Sequence, residues 1–278
     1  MFIDTHCHLY DEKLKDRTQE IVLSAREAGV EKLLVAGCDI PTCREAIRLA
    51  EEYEEVYACV GFYPENANEF GEEQEKELRK MLEHEKVVAV GEIGLDYSYK
   101  DVSRQKQKEA LLRQLMIANE LKKPVVLHGR DAYGDLVDFL KENKKLIGNG
   151  GTFHCYTGSY ELAKEIVKLG FFISVGGVST FQNAVNVKEM LQKADLENLL
   201  LETDSPYLAP VPMRGKVNEP KYIPYIAENL AKLKNVSVEE IAEKTTKNAK
   251  GLFKIWFHII LKRNLDKILY LIKTSCQP

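Results

Sequence analysis

The chain has 278 residues and a mass of 31.7 kDa, enough for one large core, and its 45% hydrophobic and 29% charged residues exclude a disordered or fibrous protein. A formal net charge of -4 excludes a general basic field, so contact with a polyanion would need a local patch or bound cations. Six cysteines without a Cys-x-x-Cys pair, no signal-like segment behind Met1 and no apolar run of the roughly 20 residues that span a bilayer lead to the expectation of a cytoplasmic protein without stable membrane insertion.

Strand-like apolar runs alternate with amphipathic, helix-forming segments along the chain. A first strand is expected over Phe2–His6, then a helix over Thr18–Ala28 and a strand over Lys32–Ala36. Helix Cys43–Glu54 leads into strand Val56–Gly61, and helix Glu72–Glu83 into strand Val87–Ile93. Helix Arg104–Leu121, strand Val125–His128, helix Gly134–Lys141 and strand Gly151–His154 follow, then helix Glu161–Leu169 and strands Phe171–Val175 and Leu199–Glu202. Eight such alternations predict an α/β protein with a closed (β/α)8 TIM barrel over residues 1–253, in preference to an open doubly wound sheet.

A barrel of this kind keeps its functional side chains at the C-terminal ends of strands. His6 and His8 end the first strand, where alternate side chains share a face and can grip one cation. Glu92 ends the fourth strand, His128 the fifth and His154 the sixth, and Asp204 follows the eighth. Four imidazoles directed into one mouth would repel when protonated, whereas a metal binds the neutral form. Glu92 sits in an otherwise apolar strand, where a carboxylate is costly without a cation or partner, and its two oxygens can serve two cations.

These six residues supply the ligands for two divalent metal ions, and the chemistry that suits such a pair is hydrolysis by a metal-activated hydroxide. Asp204 is the expected general base as well as a ligand, with Glu92 as the second catalytic carboxylate. Glu202 either points away or supports the ligands, and His84 and His258 receive no role. Imidazoles suit zinc, manganese or iron(II), while the carboxylates and a phosphate substrate also admit magnesium.

The segments Asp4-Thr5-His6-Cys7-His8, Gly91-Glu92-Ile93-Gly94-Leu95-Asp96-Tyr97, His128-Gly129-Arg130-Asp131-Ala132, His154-Cys155-Tyr156-Thr157-Gly158-Ser159 and Glu202-Thr203-Asp204-Ser205-Pro206-Tyr207, in that order, resemble the TatD family of metal-dependent deoxyribonucleases, in the amidohydrolase-like barrel superfamily. The match spans about Phe2 to Phe253. The resemblance implies a (β/α)8 barrel, two divalent metals, commonly magnesium, and phosphodiester hydrolysis with DNA as substrate. It also implies His6, His8 and Asp204 around one metal, His128 and His154 around the other, and Glu92 between them.

Two positions depart from the family pattern. Tyr63 stands where relatives usually carry a histidine that faces the site, and Tyr10 where they carry Asp or Asn. Tyr63 can still hydrogen-bond a phosphate oxygen and, with Arg130, is a candidate substrate contact; Arg214 and Lys216 are further cations beyond the last strand. Two other readings of the same rim stay open: a barrel hydrolase of a small amide, lactone or phosphoester, and a catalytically weak metal-binding scaffold.

Residues 254–278 continue past the segment where relatives usually stop. Apolar residues interleaved with Lys254, Lys262, Arg263, Lys267 and Lys273 predict a helical extension rather than a separate domain. Packing on the barrel, self-association through the tail and contact with a membrane surface are the three readings of it.

Overall fold

The structure, a computed structural model, describes residues 1–255. Its strands are β1 (Phe2–Cys7), β2 (Val30–Ala36), β3 (Val56–Val60), β4 (Val87–Asp96), β5 (Val125–Arg130), β6 (Gly151–Phe153), β7 (Phe171–Val175) and β8 (Leu199–Leu201). They pair in parallel, in chain order, as one 8-stranded sheet. Between them run α1 (Thr18–Glu27), α2 (Ile40–Glu52), α3 (Glu72–Met81), α4 (Arg104–Glu120), α5 (Tyr133–Glu142), α6 (Tyr160–Lys168) and α7 (Val185–Lys193), and after β8 come α8 (Ile223–Lys234) and α9 (Val238–Phe253).

The sheet curls until Cys7 pairs with Ser205 just beyond β8. Two backbone hydrogen bonds staple this seam, from the Asp204 N–H to the His6 carbonyl at 2.9 Å and from the His8 N–H to the Ser205 carbonyl at 2.7 Å. The expected (β/α)8 barrel is therefore the fold. Its seam is stitched at the rim where the candidate ligands stand.

Alternation along each strand divides the core into two layers. Leu33 and Val35 of β2 face outward into the cluster that the helices cover, with Ile21, Ala25 and Leu49 among its members. Leu34 and Ala36 turn the other way and, with Ile3, Tyr57, Cys59, Val126 and Leu200, fill the barrel interior. Phe253 and Ile255 join this inner cluster beside residues from strand starts, so the end of α9 plugs the barrel opposite the rim. There the Lys86 ammonium donates to the carbonyls of Tyr53, Glu54 and Val56 at 3.0, 3.1 and 2.8 Å, holding the loop before β3.

Local chemistry sets the element ends. Asp39 caps α2 by accepting the Thr42 N–H at 2.8 Å while the Thr42 hydroxyl accepts the Asp39 N–H at 3.0 Å. This capping box, with a proline in the first turn, starts the helix at Ile40, ahead of the predicted Cys43. Ser103, Ser159 and Ser237 cap α4, α6 and α9 through their side-chain oxygens.

β4 departs most from expectation, running past the predicted end at Ile93 to Asp96. The extra residues keep pairing with β5, Gly94 opposite His128 and Asp96 opposite Arg130. Gly94 makes this pairing sterically feasible: its φ is +148°, and a Cβ there would lie 2.0 Å from the His128 carbonyl oxygen.

Among the described residues no helix is long and apolar enough to cross a membrane. Lys254 leaves α9 with a left-handed φ of 56°, and Ile255 packs into the core. The expected tail helix, its self-association and His258 lie outside the described residues.

Candidate metal centre

The six predicted ligands meet at the rim. Glu92, expected to end its strand, is buried in the middle of β4, the longest strand, and turns one carboxylate oxygen to each of two groups of nitrogens. Its Oε2 lies 3.2 Å from His6 Nε2 and 3.8 Å from His8 Nε2. Its Oε1 lies 2.9 Å from His128 Nδ1 and 3.0 Å from His154 Nε2. Asp204 completes the first group, with Oδ1 3.8 Å from His6 Nε2 and 3.4 Å from His8 Nε2.

Within each group the nitrogens also face one another, His6 Nε2 to His8 Nε2 at 3.2 Å and His128 Nδ1 to His154 Nε2 at 3.1 Å. Neutral imidazoles cannot hold two lone pairs at that distance without a proton or a cation between them. Donor atoms about 2.1 Å from a shared cation stand about 3.0–3.4 Å apart along the edges of octahedral or tetrahedral shells; both nitrogen–nitrogen separations fall in that range, and only the two contacts at 3.8 Å are wider. The donor set thus fits divalent metal ions, in the clusters His6–His8–Glu92 and Glu92–His128–His154.

The electrostatics agree with this reading. Burial pushes the Glu92 carboxyl up, yet the charges of His154 and His6 and hydrogen bonds from His128 and His154 outweigh burial and hold it well below its usual range. Asp204 behaves alike, burial being overcome by the His8 hydrogen bond and by the charges of His154 and His6. Burial lowers His6, with the His154 charge adding to it. Burial also opposes protonation of His8, His154 and His128, but neighbouring acceptors reverse the balance and raise all three. Asp204 for His8, Glu92 and Glu202 for His154, and Asp96 and Glu92 for His128 are the chief of these. Metal binding at these nitrogens would displace those protons.

Each ring is aimed by contacts on its far side. His8 Nδ1 donates to the Ala36 carbonyl at 3.0 Å, and the Tyr10 hydroxyl donates to the same oxygen at 2.7 Å. His128 is turned the other way: its Nδ1 faces Glu92, while its Nε2 lies 3.0 Å from Asp96 Oδ2. Asp96 is fully buried and is fixed by the Ser98 N–H and hydroxyl at 2.9 and 2.6 Å and by the Tyr63 hydroxyl at 3.0 Å. Asp204 and Cys155, each just past a strand end, take left-handed φ values of 57° and 43°. The chain there bends sharply out of the barrel into the rim loops.

Sequence reasoning missed Asp96. Gly94 and Asp96, in a segment that still alternates, were the available signal for a longer β4. Glu202, left open by the sequence, points inward: its Oε1 accepts the Cys155 N–H at 2.5 Å and lies 3.5 Å from His154 Nδ1. His84 lies away from the rim, its Nε2 3.2 Å from Glu51.

Above the ligands opens a cavity of about 790 Å³, with His8, Glu92, His154 and Asp204 in its floor and Tyr63, Arg130 and Tyr207 in its walls. Arg130 is exposed on that wall. Tyr63 commits its hydroxyl to Asp96, with His128 Nε2 3.1 Å away, and presents its ring to the cavity. Arg214 and Lys216 are exposed, and Arg214 lies over the Phe181 ring at 3.8 Å.

Known proteins match this arrangement over almost the whole chain. The family model of TatD-related DNases matches residues 3–254. An uncharacterised metal-dependent hydrolase of Bacillus subtilis, YabD, is 43% identical over 255 residues, covering 92% of this chain and all of that protein. YcfH, an uncharacterised metal-dependent hydrolase of Escherichia coli, is 39% identical over 257 residues, with 91% of this chain and 96% of that protein covered. The crystal structure of YjjV, a TatD homologue from Escherichia coli, superposes with a TM-score of 0.86 at 32% identity, covering 91% of this chain and 98% of that one. A barrel with its donors gathered at the strand ends, matched at this identity over this length, places the chain in the TatD family of metal-dependent hydrolases.

Proposed function

We propose that the chain is a two-metal phosphodiesterase that cleaves DNA. The observation that carries this reading is the divided carboxylate of Glu92, one oxygen in each nitrogen group. His6, His8, Asp204 and Glu92 Oε2 would hold one ion, and His128, His154 and Glu92 Oε1 the other. Magnesium, manganese and zinc all suit this mixed set. Bound divalent ions supply two things at such a site, a lowered pKa for water and neutralisation of charge on phosphate oxygens.

The chain's own residues do the rest. Asp204, held ionised in the cavity floor, accepts the proton of the attacking water. Glu92 keeps the two groups of donors in fixed register, so that substrate is met by a preformed site. Arg130 on the cavity wall pairs with a phosphate oxygen through its guanidinium fork, and the Tyr63 ring bounds the space beside it.

The test is turnover of single-stranded and duplex oligonucleotides by metal-loaded wild type and Asp204→Asn. The variant is expected to lose about 100-fold to 10,000-fold in kcat, the range for a positioned general base. Equal rates would overturn the mechanism. Turnover of small lactones or phosphoesters with DNA left intact would overturn the substrate assignment.

A further inference from the structure

Beneath the two nitrogen groups, three buried polar atoms lack a formed hydrogen bond: His6 Nδ1, His154 Nδ1, which lies 3.5 Å from Glu202 Oε1, and Glu202 Oε2. Their residues are 1%, 5% and 0% exposed, and one donor atom of each lies within 4.8 Å of the others. The His6 and His154 rings stack face to face, 4.0 Å between centroids and 17° from parallel. Two parallel rings with a carboxylate below them would serve as a third metal cluster or as a support for the first two. The chemistry of imidazole separates these.

A neutral imidazole has one N–H and one lone pair. His6 Nε2 faces Glu92 Oε2 and His8 Nε2, and His154 Nε2 faces Glu92 Oε1 and His128 Nδ1. With a cation in each group both Nε2 lone pairs would be committed to the rim, which leaves both Nδ1 atoms to carry hydrogen. Two buried donors without acceptors and one buried carboxylate oxygen without a donor are complementary. A third cation would meet two N–H groups and a single carboxylate.

We infer that Glu202 is a positioning residue shared by His6 and His154, accepting from both Nδ1–H groups and locking both rings in the tautomer that offers Nε2 to the rim. Glu202 is itself fixed on one side by the Cys155 N–H. The two imidazoles then stand between carboxylates, Glu92 on the Nε2 side and Glu202 on the Nδ1 side. One residue therefore supports a ligand of each metal. Contacts of this kind change metal affinity by about 10-fold to 100-fold when removed.

The inference rests on the two-cation reading of the rim, and its test reads tautomer and Zn²⁺ affinity rather than activity, so inactivity on DNA would leave it standing. The full chain is labelled with ¹⁵N-histidine, loaded with Zn²⁺ and compared by NMR with Glu202→Gln, whose amide turns a donor toward donors. In the wild type, Nδ1 of His6 and His154 should be protonated and Nε2 ligated. Glu202→Gln should keep its unfolding transition and bind Zn²⁺ about 10-fold to 100-fold more weakly in chelator competition. An unprotonated Nδ1 on either ring in the wild type overturns the assignment, and that measurement needs no variant to fold. So does unchanged Zn²⁺ affinity in Glu202→Gln, or a third Zn²⁺ per chain that this variant alone loses.

Discussion

Asp96→Asn is the substitution whose effect the geometry defines most closely. In the wild type the carboxylate accepts from His128 Nε2 at 3.0 Å, from the Tyr63 hydroxyl at 3.0 Å and from both donors of Ser98. The amide keeps the shape and one acceptor but loses the charge, and Ser98 already claims the other oxygen. His128 then no longer has a charged acceptor to hold its Nδ1 toward Glu92. Hydrogen bonds to charged groups contribute about 1.5–3 kcal/mol, which corresponds to about 10-fold to 100-fold in an equilibrium constant. Zn²⁺ affinity, measured against a competing chelator at fixed pH, should fall by that factor. Tyr63→Phe removes one donor and leaves Asp96 charged with three others, so its effect should stay below about 10-fold. Because His128 and Tyr63 share one oxygen, the double variant should lose less than the sum of the singles. Affinity of Asp96→Asn within a factor of about two of wild type, or a larger loss in Tyr63→Phe than in Asp96→Asn, would refute the reasoning.

Four further outcomes follow from the described contacts. Metal affinity should fall with acidity, because His8, His128 and His154 hold protons above the ordinary imidazole value and a metal must displace them; calorimetry in buffers of different ionisation enthalpy should register proton release, and buffer-independent heats would count against it. In the metal-free protein the raised histidines contribute stability at low pH that is lost as pH rises through their folded values, whereas Glu92 and Asp204, held low, contribute stability that is lost on acidification. Its unfolding temperature should therefore decline toward both extremes, with metal adding most on the alkaline side. Gly94→Ala should lower stability and metal affinity together, since its Cβ would meet the His128 carbonyl at 2.0 Å, and affinity unchanged from wild type would sink that link. Phe253→Ala should cost about 3–5 kcal/mol in denaturant unfolding while leaving the metal stoichiometry intact, because the plug and the rim are at opposite ends of the barrel.

The parts of this molecule that can be read from the chain are those governed by period and by strand ends. His6, His8, Glu92, His128, His154 and Asp204 were legible because each closes or follows an apolar run, and a barrel collects such positions on one rim. Asp96 was not, because Gly94 reads as a stop in a strand although here it permits one to continue. Glu202 was undecided because a short strand bordered by two acids leaves its inward register ambiguous; the Cys155 N–H, just past β6 on the far side of β7, settles its direction. Tyr63, read as a substrate contact, spends its hydroxyl on Asp96, a partner that only the extended β4 delivers.

The seam between β1 and the turn after β8 has a consequence for how the protein comes into being. His6 and His8 leave the ribosome first and Asp204 much later, yet their backbones are stitched together at the rim. A nascent chain lacking its last strand can bring the histidine pair to Glu92 but lacks the Asp204 carboxylate beside it. An ion held by His6, His8 and Asp204 together would therefore clamp this seam and resist the parting of the first and last strands.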